Sequence, residues 1–270
     1  MKKAVIAVIA IPVVFIGLWL VAIPESLMIR HMEDALERQG MHVRIMGFSK
    51  GLLYNFSIRH MHVSTEKGFP IVSVSDLHAG IDFLSFLALR PQFDFGGIVN
   101  DGRVYGAISL RGQGMSGGRT ISVNGNGVNI NGIPALERLG IRGNGNLDFD
   151  FNMTDQTGEI RFSIPETRFE GNVPGFDFLP LDLIQSVRGS LTIGKTITVR
   201  SLTLEGRGVH ARVQGNVRGN RLNMKIELMM DSSFGLEPGL TQALEPYRVS
   251  PGYYVIPFSH TFLSAPSVIR

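Results

Sequence analysis

Ile141-Arg-Gly-Asn-Gly-Asn-Leu-Asp-Phe-Asp-Phe-Asn-Met153 alternates without a break. Ile141, Gly143, Gly145, Leu147, Phe149, Phe151 and Met153 fall on one side; Arg142, Asn144, Asn146, Asp148, Asp150 and Asn152 fall on the other. Successive side chains of a β-strand point to opposite faces, so this pattern predicts one long strand with an apolar and a wet face. Two later stretches share the period. Val209, Ala211, Val213, Gly215 and Val217 oppose His210, Arg212, Gln214, Asn216 and Arg218; Leu222, Met224, Ile226, Leu228 and Met230 oppose Arg221, Asn223, Lys225 and Glu227. Gly219-Asn220 between them predicts a hairpin.

Outward from these strands the period weakens but persists. Val43 and Ile45 alternate with His42 and Arg44. Phe56 and Ile58 slip to Met61 and Val63, and Val72 and Val74 slip to Leu77, Ala79, Ile81 and Phe83. Such a slip sets two residues against one and predicts a bulge that bends the strand. Leu84–Leu89, closed by Pro91, predicts a helical turn, and Phe93, Phe95 and Val104–Leu110 predict strands. Gly112–Gly132 holds Gly117-Gly118, Asn124-Gly125, Asn126-Gly127 and Asn131-Gly132. Asn-Gly supplies the positive φ of two-residue hairpins, so Ile121 and Val123, then Val128 and Ile130, read as short strands between turns.

Ile133–Gly143 and Leu179–Gly189 share Pro, Arg and Gly in register. Each copy of this weak repeat predicts a Pro-initiated helical turn running into an Arg-Gly that opens a strand. Leu236–Tyr247 predicts another short helix. Tyr253–Ile269 predicts two short strands interrupted by Pro257 and Pro266, which suits an edge or covering segment.

Ahead of the strands lies a different kind of segment. Ala4–Ile23 holds no charged side chain, and only Pro12 and Gly17 weaken a helix there. At 1.5 Å per residue it would reach about 30 Å, the thickness of a bilayer's hydrocarbon core. Lys2 and Lys3 precede it, and Glu25, Arg30, Glu33 and Asp34 follow, so the positive-inside rule puts the N-terminus in the cytoplasm. Trp19 near the exit suits the interfacial belt. The rival is a cleaved signal peptide, but cleavage after Ala22 puts the bulky Leu20 at the −3 position.

Residues 1–3 are then a cytoplasmic stub, 4–23 a transmembrane helix bounded by Ala4 and Ile23, 24–40 a juxtamembrane helix and 41–270 a periplasmic β-rich domain. The expected location is the inner membrane, single-pass, with the bulk of the chain in the periplasm. Glu25–Gln39 carries Met28, Met32, Ala35 and Leu36 on one face, and Gly40 stops it.

Composition narrows the function. Charged residues are 18 % of the chain, glycines number 32 and cysteines are absent; few charges and many glycines suit a β-rich extracytoplasmic protein, and disulfide and thiol chemistry are excluded. The net charge of +3 comes from 26 basic residues scattered among 23 acidic ones. No basic run marks a nucleic-acid binder.

Catalytic motifs match only as letters. Gly114-Met-Ser116-Gly-Gly118 lacks the strand and helix that a nucleophile elbow needs. Gly112-x-Gly114-x-x-Gly117 opens no helix toward a phosphate, and Ser64-Thr-Glu-Lys67 falls in a turn. His60 and His62 share a strand side without the further ligands of a zinc site. Asp148 and Asp150 share a solvated strand surface, whereas a hydrolase needs carboxylates converging from different elements. The chain reads as a non-enzyme without cofactor or metal.

The fold class expected is mainly β: a long curved antiparallel sheet, partly closed or groove-like, with a few short helices. Two packed sheets remain the rival arrangement. An apolar sheet face must be buried somewhere, and the candidate groove is Leu147, Phe149, Phe151, Leu222, Met224 and Ile226.

Lys50-Gly-Leu-Leu-Tyr54 before a strand, Leu84-Ser-Phe-Leu-Ala-Leu89 before a glycine-rich strand pair, and Ser201-Leu-Thr-Leu-Glu-Gly-Arg-Gly208 entering a long hairpin, together with the single N-terminal anchor, resemble the type II secretion system protein N family, GspN. Val255–Ile269 resembles the closing strand of that family and of the wider AsmA and TamB-like proteins, except that His260 stands where Gly is expected. The resemblance implies an inner-membrane-anchored periplasmic accessory protein of the general secretory pathway. Its partners would be the membrane and other secretion proteins. The AsmA-like kinship implies a curved groove that shields lipid or a β-rich client.

Overall fold

A computed structural model describes residues 23–52, 54–82, 85, 91–110, 118–138, 142–170, 181–219, 221–231 and 242–261. The fold is mainly β, one long antiparallel sheet that does not close, with few short helices. Hydrogen-bonded neighbours follow chain order almost throughout; the ninth strand pairs on the seventh instead, and the last two stand in reversed order. Two-residue connections at Asn100-Asp101, at Asp155-Gln156, at Arg207-Gly208 and between Arg218 and Arg221 fold successive strands back as hairpins and produce much of that order. No described helix is long and apolar enough to cross a membrane. Residues 4–22 of the expected span, all but Ser85 of the helical turn at Leu84–Leu89, and the tail beyond Thr261 lie outside the described residues.

The chain divides into two compact units. The first runs to Thr120, and the second comprises Asn100–Gly102 and the chain from Ile121.

The first unit opens with α1 (Glu25–Glu37), which lies against β1 and buries none of its side chains. Gly40 ends it at φ +77°, a left-handed conformation that glycine adopts without steric cost. The strands are β1 (Met41–Lys50), β2 (Phe56–Thr65), β3 (Pro70–Asp82), β4 (Gln92–Val99) and β5 (Gly102–Leu110). Val43, Ile58, Val63 and Ala79 are buried on the apolar face, and the Phe48 and Phe56 rings stack at 5.6 Å.

The slip from Ile58 to Met61 takes another form than the bulge expected of it, whereas the slip from Val74 to Leu77 is a bulge against β4. β1 and β2 keep one register on both sides of Gly47, with Ile45 opposite Met61 and Phe48 opposite Ile58. β2 and β3 keep theirs across Arg59, with His60 opposite Ser75 and Ile58 opposite Leu77. Three neighbouring strands therefore invert at one level, Gly47, Arg59 and Asp76, and no residue is left over. Gly47 (φ +70°) and Asp76 (φ +49°) take the left-handed backbone that lets the faces exchange. Two-against-one pairing occurs between β3 and β4, at Asp76 and Leu77, and between β2 and β3, at Ile71.

In the second unit the long alternating strand is present as expected. It is β7 (Arg142–Thr154), and its residues alternate between exposed and half-buried from end to end. The glycine-rich stretch before it departs from expectation: Asn124–Gly127 lie inside one strand, β6 (Arg119–Asn129), not in hairpin turns. A Cβ at Gly125 would collide with the Phe149 ring, so this glycine serves a close aromatic approach. The Gly127 N–H donates to Asp148 Oδ1 at 2.8 Å. Of the described Asn-Gly pairs, only Asn131-Gly132 forms a turn, ahead of the short helix α2 (Pro134–Arg138).

The remaining strands are β8 (Thr157–Ile164), β9 (Thr167–Glu170), β10 (Ile184–Ile193), β11 (Ile197–Gly206), β12 (Val209–Arg218), β13 (Arg221–Met230), β14 (Arg248–Ser250) and β15 (Tyr253–Thr261). Single 3-10 turns stand at Leu181–Leu183 and Glu245–Tyr247. A real bulge sits on β11 at Arg200 and Ser201, shifting register against both neighbours. The final segment is continuous through Pro257, which pairs with Lys225. β14 pairs only with the first residues of β15, so the proline lies where no described strand needs its missing N–H.

The repeat is half realised. Arg142-Gly143 opens β7, but Arg188-Gly189 lies within β10, which begins at Ile184. What the two copies share is the glycine's neighbour: a Cβ at Gly143 would press on the Phe169 ring, and one at Gly189 on the Phe162 ring. Gly189→Val is expected to lower stability by about 1–3 kcal/mol through overpacking, read as a shifted denaturation midpoint, whereas Gly68→Ala, with open space around it but φ +77°, tests backbone cost alone.

Candidate functional site: a half-covered apolar sheet face

Register aligns the apolar face of the second unit into rows that cross the strands. One row is Ile164, Val187, Leu204, Ala211, Leu228 and Tyr254, and all six are buried. In the next, Phe162, Gly189, Leu202, Val213, Ile226 and Ile256, three are buried. In the third, Ile160, Leu191, Val199, Gly215, Met224 and Phe258, only Val199 is. Burial thus fades along the strands rather than across them.

The cause is the placement of the short helical pieces. Leu181 from one 3-10 turn, Leu244 (1 % exposed) just before the other, and Ile130 from the end of β6 join the buried cluster, with Ile133 and Leu136 beside α2 packed against it. These cover one end of the face. Ile184, Val209 and Met230 extend the buried end beyond the first row, while Leu222, Val217, Ile193 and Ile197 continue the half-buried end.

The six side chains singled out from sequence divide along this gradient. Ile226 (1 % exposed) belongs to the packed core. Leu147 and Met224 are half-buried against it. Phe149, Phe151 and Leu222 are half-buried too; Phe149 pairs with Phe162 and Phe151 with Ile160. Sequence reasoning missed Phe258, which pairs with Met224 on β15. Its signal was hidden because the strand carries a proline and its register follows only from the pairing. A shallow open depression of about 430 Å3 is lined by Gln214, Gly215, Asn223, Met224, Lys225, Pro257, Phe258 and Ser259; five of the eight belong to the polar sides of their strands, so it does not mark the apolar face. A Cβ at Gly215 would run into the Asn223 carbonyl oxygen and the Met224 Cα, so this glycine serves a close approach of β13's backbone. That volume is in the range of small-ligand sites, though its openness is not.

The opposite face is polar and locally paired. Ser259 Oγ and Asn223 Oδ1 lie 2.9 Å apart, and Arg200 Nε donates to Thr192 Oγ1 at 2.7 Å. Lys225 Nζ donates to Glu227 Oε1 at 2.7 Å. This hydrogen bond, more than the charge attraction, holds the Glu227 carboxyl below its usual value and the Lys225 ammonium above its own. A depressed carboxyl stabilises the fold fully above its unfolded pKa, about 4.3, and that contribution is lost as pH falls through the folded value; the raised lysine contributes below about 10.4 and loses its effect as pH rises through the folded value. Glu227→Gln is expected to flatten the acid limb of a stability–pH profile only slightly, because its partner Lys225 is exposed and water screens the pair.

The other candidate residues stay apart from any convergent site. His60 Nδ1 pairs with Ser75 Oγ at 3.3 Å and His62 Nδ1 with Ser73 Oγ at 3.0 Å, both exposed on the polar face of the first unit. No group of three metal-ligating residues occurs among the described residues. Asp148 accepts the Gly127 N–H, and Asp150 accepts from Asn152 Nδ2 on its own strand. Ser64 Oγ donates to the His42 carbonyl. Ser116 and the glycines 112, 114 and 117 lie outside the described residues. Among the described residues no polar side chain is buried.

No family model, curated protein or solved structure matches the chain.

Proposed function

We propose that the chain is an accessory component of type II protein secretion, held at the inner membrane by Ala4–Ile23 with its strands in the periplasm and acting through protein contacts of the β-body, without catalysis. The observation that carries this reading is the extended antiparallel order with one apolar and one locally paired polar face. Such a sheet offers area and strand edges to partners, and the sequence resemblance to GspN supplies the machine it would serve. The bulge at Arg200–Ser201 favours a local bend of the sheet within the second unit. Affinity capture of the full chain from detergent-solubilised membranes is expected to bring down other secretion proteins. Recovery of the chain alone contradicts the reading.

A second reading is favoured by one observation, the half-buried rows around Met224 and Phe258. An acyl chain laid along them would bury apolar surface that the protein leaves partly wet. Native mass spectrometry of the full chain released from detergent is expected to retain lipid adducts. A mass equal to that of the bare chain rules this reading out.

A further inference from the structure

Strands β1 to β5 alternate in direction, so Lys50, Phe56, Asp82, Gln92 and Leu110 fall at one end of the first unit. The Leu110 N–H donates to the Pro91 carbonyl at 3.1 Å, which joins the last of these strand ends to the row. Ile23, where the described chain begins, is tied to the same end. Lys50 Nζ donates to the Ile23 carbonyl at 2.6 Å, and the Lys50 N–H donates to Glu25 Oε1 at 3.3 Å.

Three large apolar side chains stand exposed at this end: Leu52 at 63 %, Leu110 at 51 % and Ile81 at 37 %. Single exposed hydrophobes are ordinary on any protein. Phe69 and Ile71, around the β2–β3 turn at the opposite end, are also exposed, so exposure alone decides nothing. Position decides: the first three share their end with the residue at which the membrane span would emerge, and with a lysine whose long stem suits the interface.

We propose that this end of the first unit sits on the bilayer, with Leu52, Ile81 and Leu110 in the headgroup layer of the leaflet from which the anchor emerges. The occupant of the apolar end is thus lipid surface. The contact fixes the first unit's attitude to the membrane instead of leaving it to swing on the anchor. This rests on reading Ala4–Ile23 as an uncleaved span.

Because the chain has no cysteine, single-cysteine variants report local environment directly. Leu52→Cys, Leu110→Cys and, at the far end, Phe69→Cys are labelled with an environment-sensitive dye in the full chain, reconstituted in vesicles of phosphatidylethanolamine and phosphatidylglycerol. Labels at 52 and 110 are expected to shift to the blue and to be quenched several-fold more by doxyl-labelled lipid than the label at 69. Labels at 52 and 110 that are quenched by aqueous iodide as readily as the label at 69, and not by doxyl lipid, overturn the proposal. Using two positions guards against one substitution disturbing the fold. Alkaline carbonate extraction of the same variants separates the two failures. If the chain is extracted, the anchor reading falls and takes this proposal with it; if it stays in the membrane while positions 52 and 110 remain aqueous, the proposal alone falls.

Discussion

Leu228→Ala is expected to destabilise the second unit by about 2–5 kcal/mol, whereas Leu222→Ala on the same strand and face is expected to cost less than half as much. Leu228 is fully buried at the packed end, between Ala211 and Tyr254 on the flanking strands, so truncation leaves a cavity that the rigid sheet cannot close. Leu222 is half-buried at the other end and opposes Val217, which is half-buried as well. Removing its methyls takes away area that water already reaches in part. Denaturation midpoints of the two variants against the parent read the gradient directly. Equal losses would mean that the face is packed uniformly.

Met224→Glu carries the second large expected effect, on binding instead of stability. Met224 is half-buried on the apolar face, in register with Gly215 and Phe258. A carboxylate placed there can reach water at the surface, so the fold is expected to hold, but an apolar ligand would have to desolvate it. Binding of a fluorescent fatty acid to the full chain in detergent is expected to fall at least tenfold, with the denaturation midpoint nearly unchanged. Unaltered binding by Met224→Glu would remove the acyl-chain reading from this face.

The strands most legible in sequence were those whose period runs unbroken. Arg142–Thr154, Val209–Arg218 and Arg221–Met230 stand as strands almost residue for residue, because side-chain alternation is a local property that each strand expresses alone. Glycine was harder to read. The letters Asn124-Gly125-Asn126-Gly127 spell turns, yet they form strand, since the Phe149 ring that needs the space of Gly125 comes from a different strand. The slips around Arg59 and Asp76 were visible, but that Gly47 joins them at one level depends on register, which one sequence does not state.

The candidate site was legible to the same degree. Met224, Phe151 and Leu222 lie on the half-buried rows, but sequence could not separate them from Ile226, which the helical pieces cover. That distinction arises from where Leu181 and Leu244 come to rest, and both are distant in sequence from β13.

Export from living cells tests the central claim, a membrane-tethered accessory of secretion, most directly. A strain lacking the gene is expected to retain type II substrates in the periplasm, the full chain to restore their export, and the chain without residues 1–23, directed to the periplasm by a cleavable signal, to fail. Normal export in the deletion strain would contradict the account.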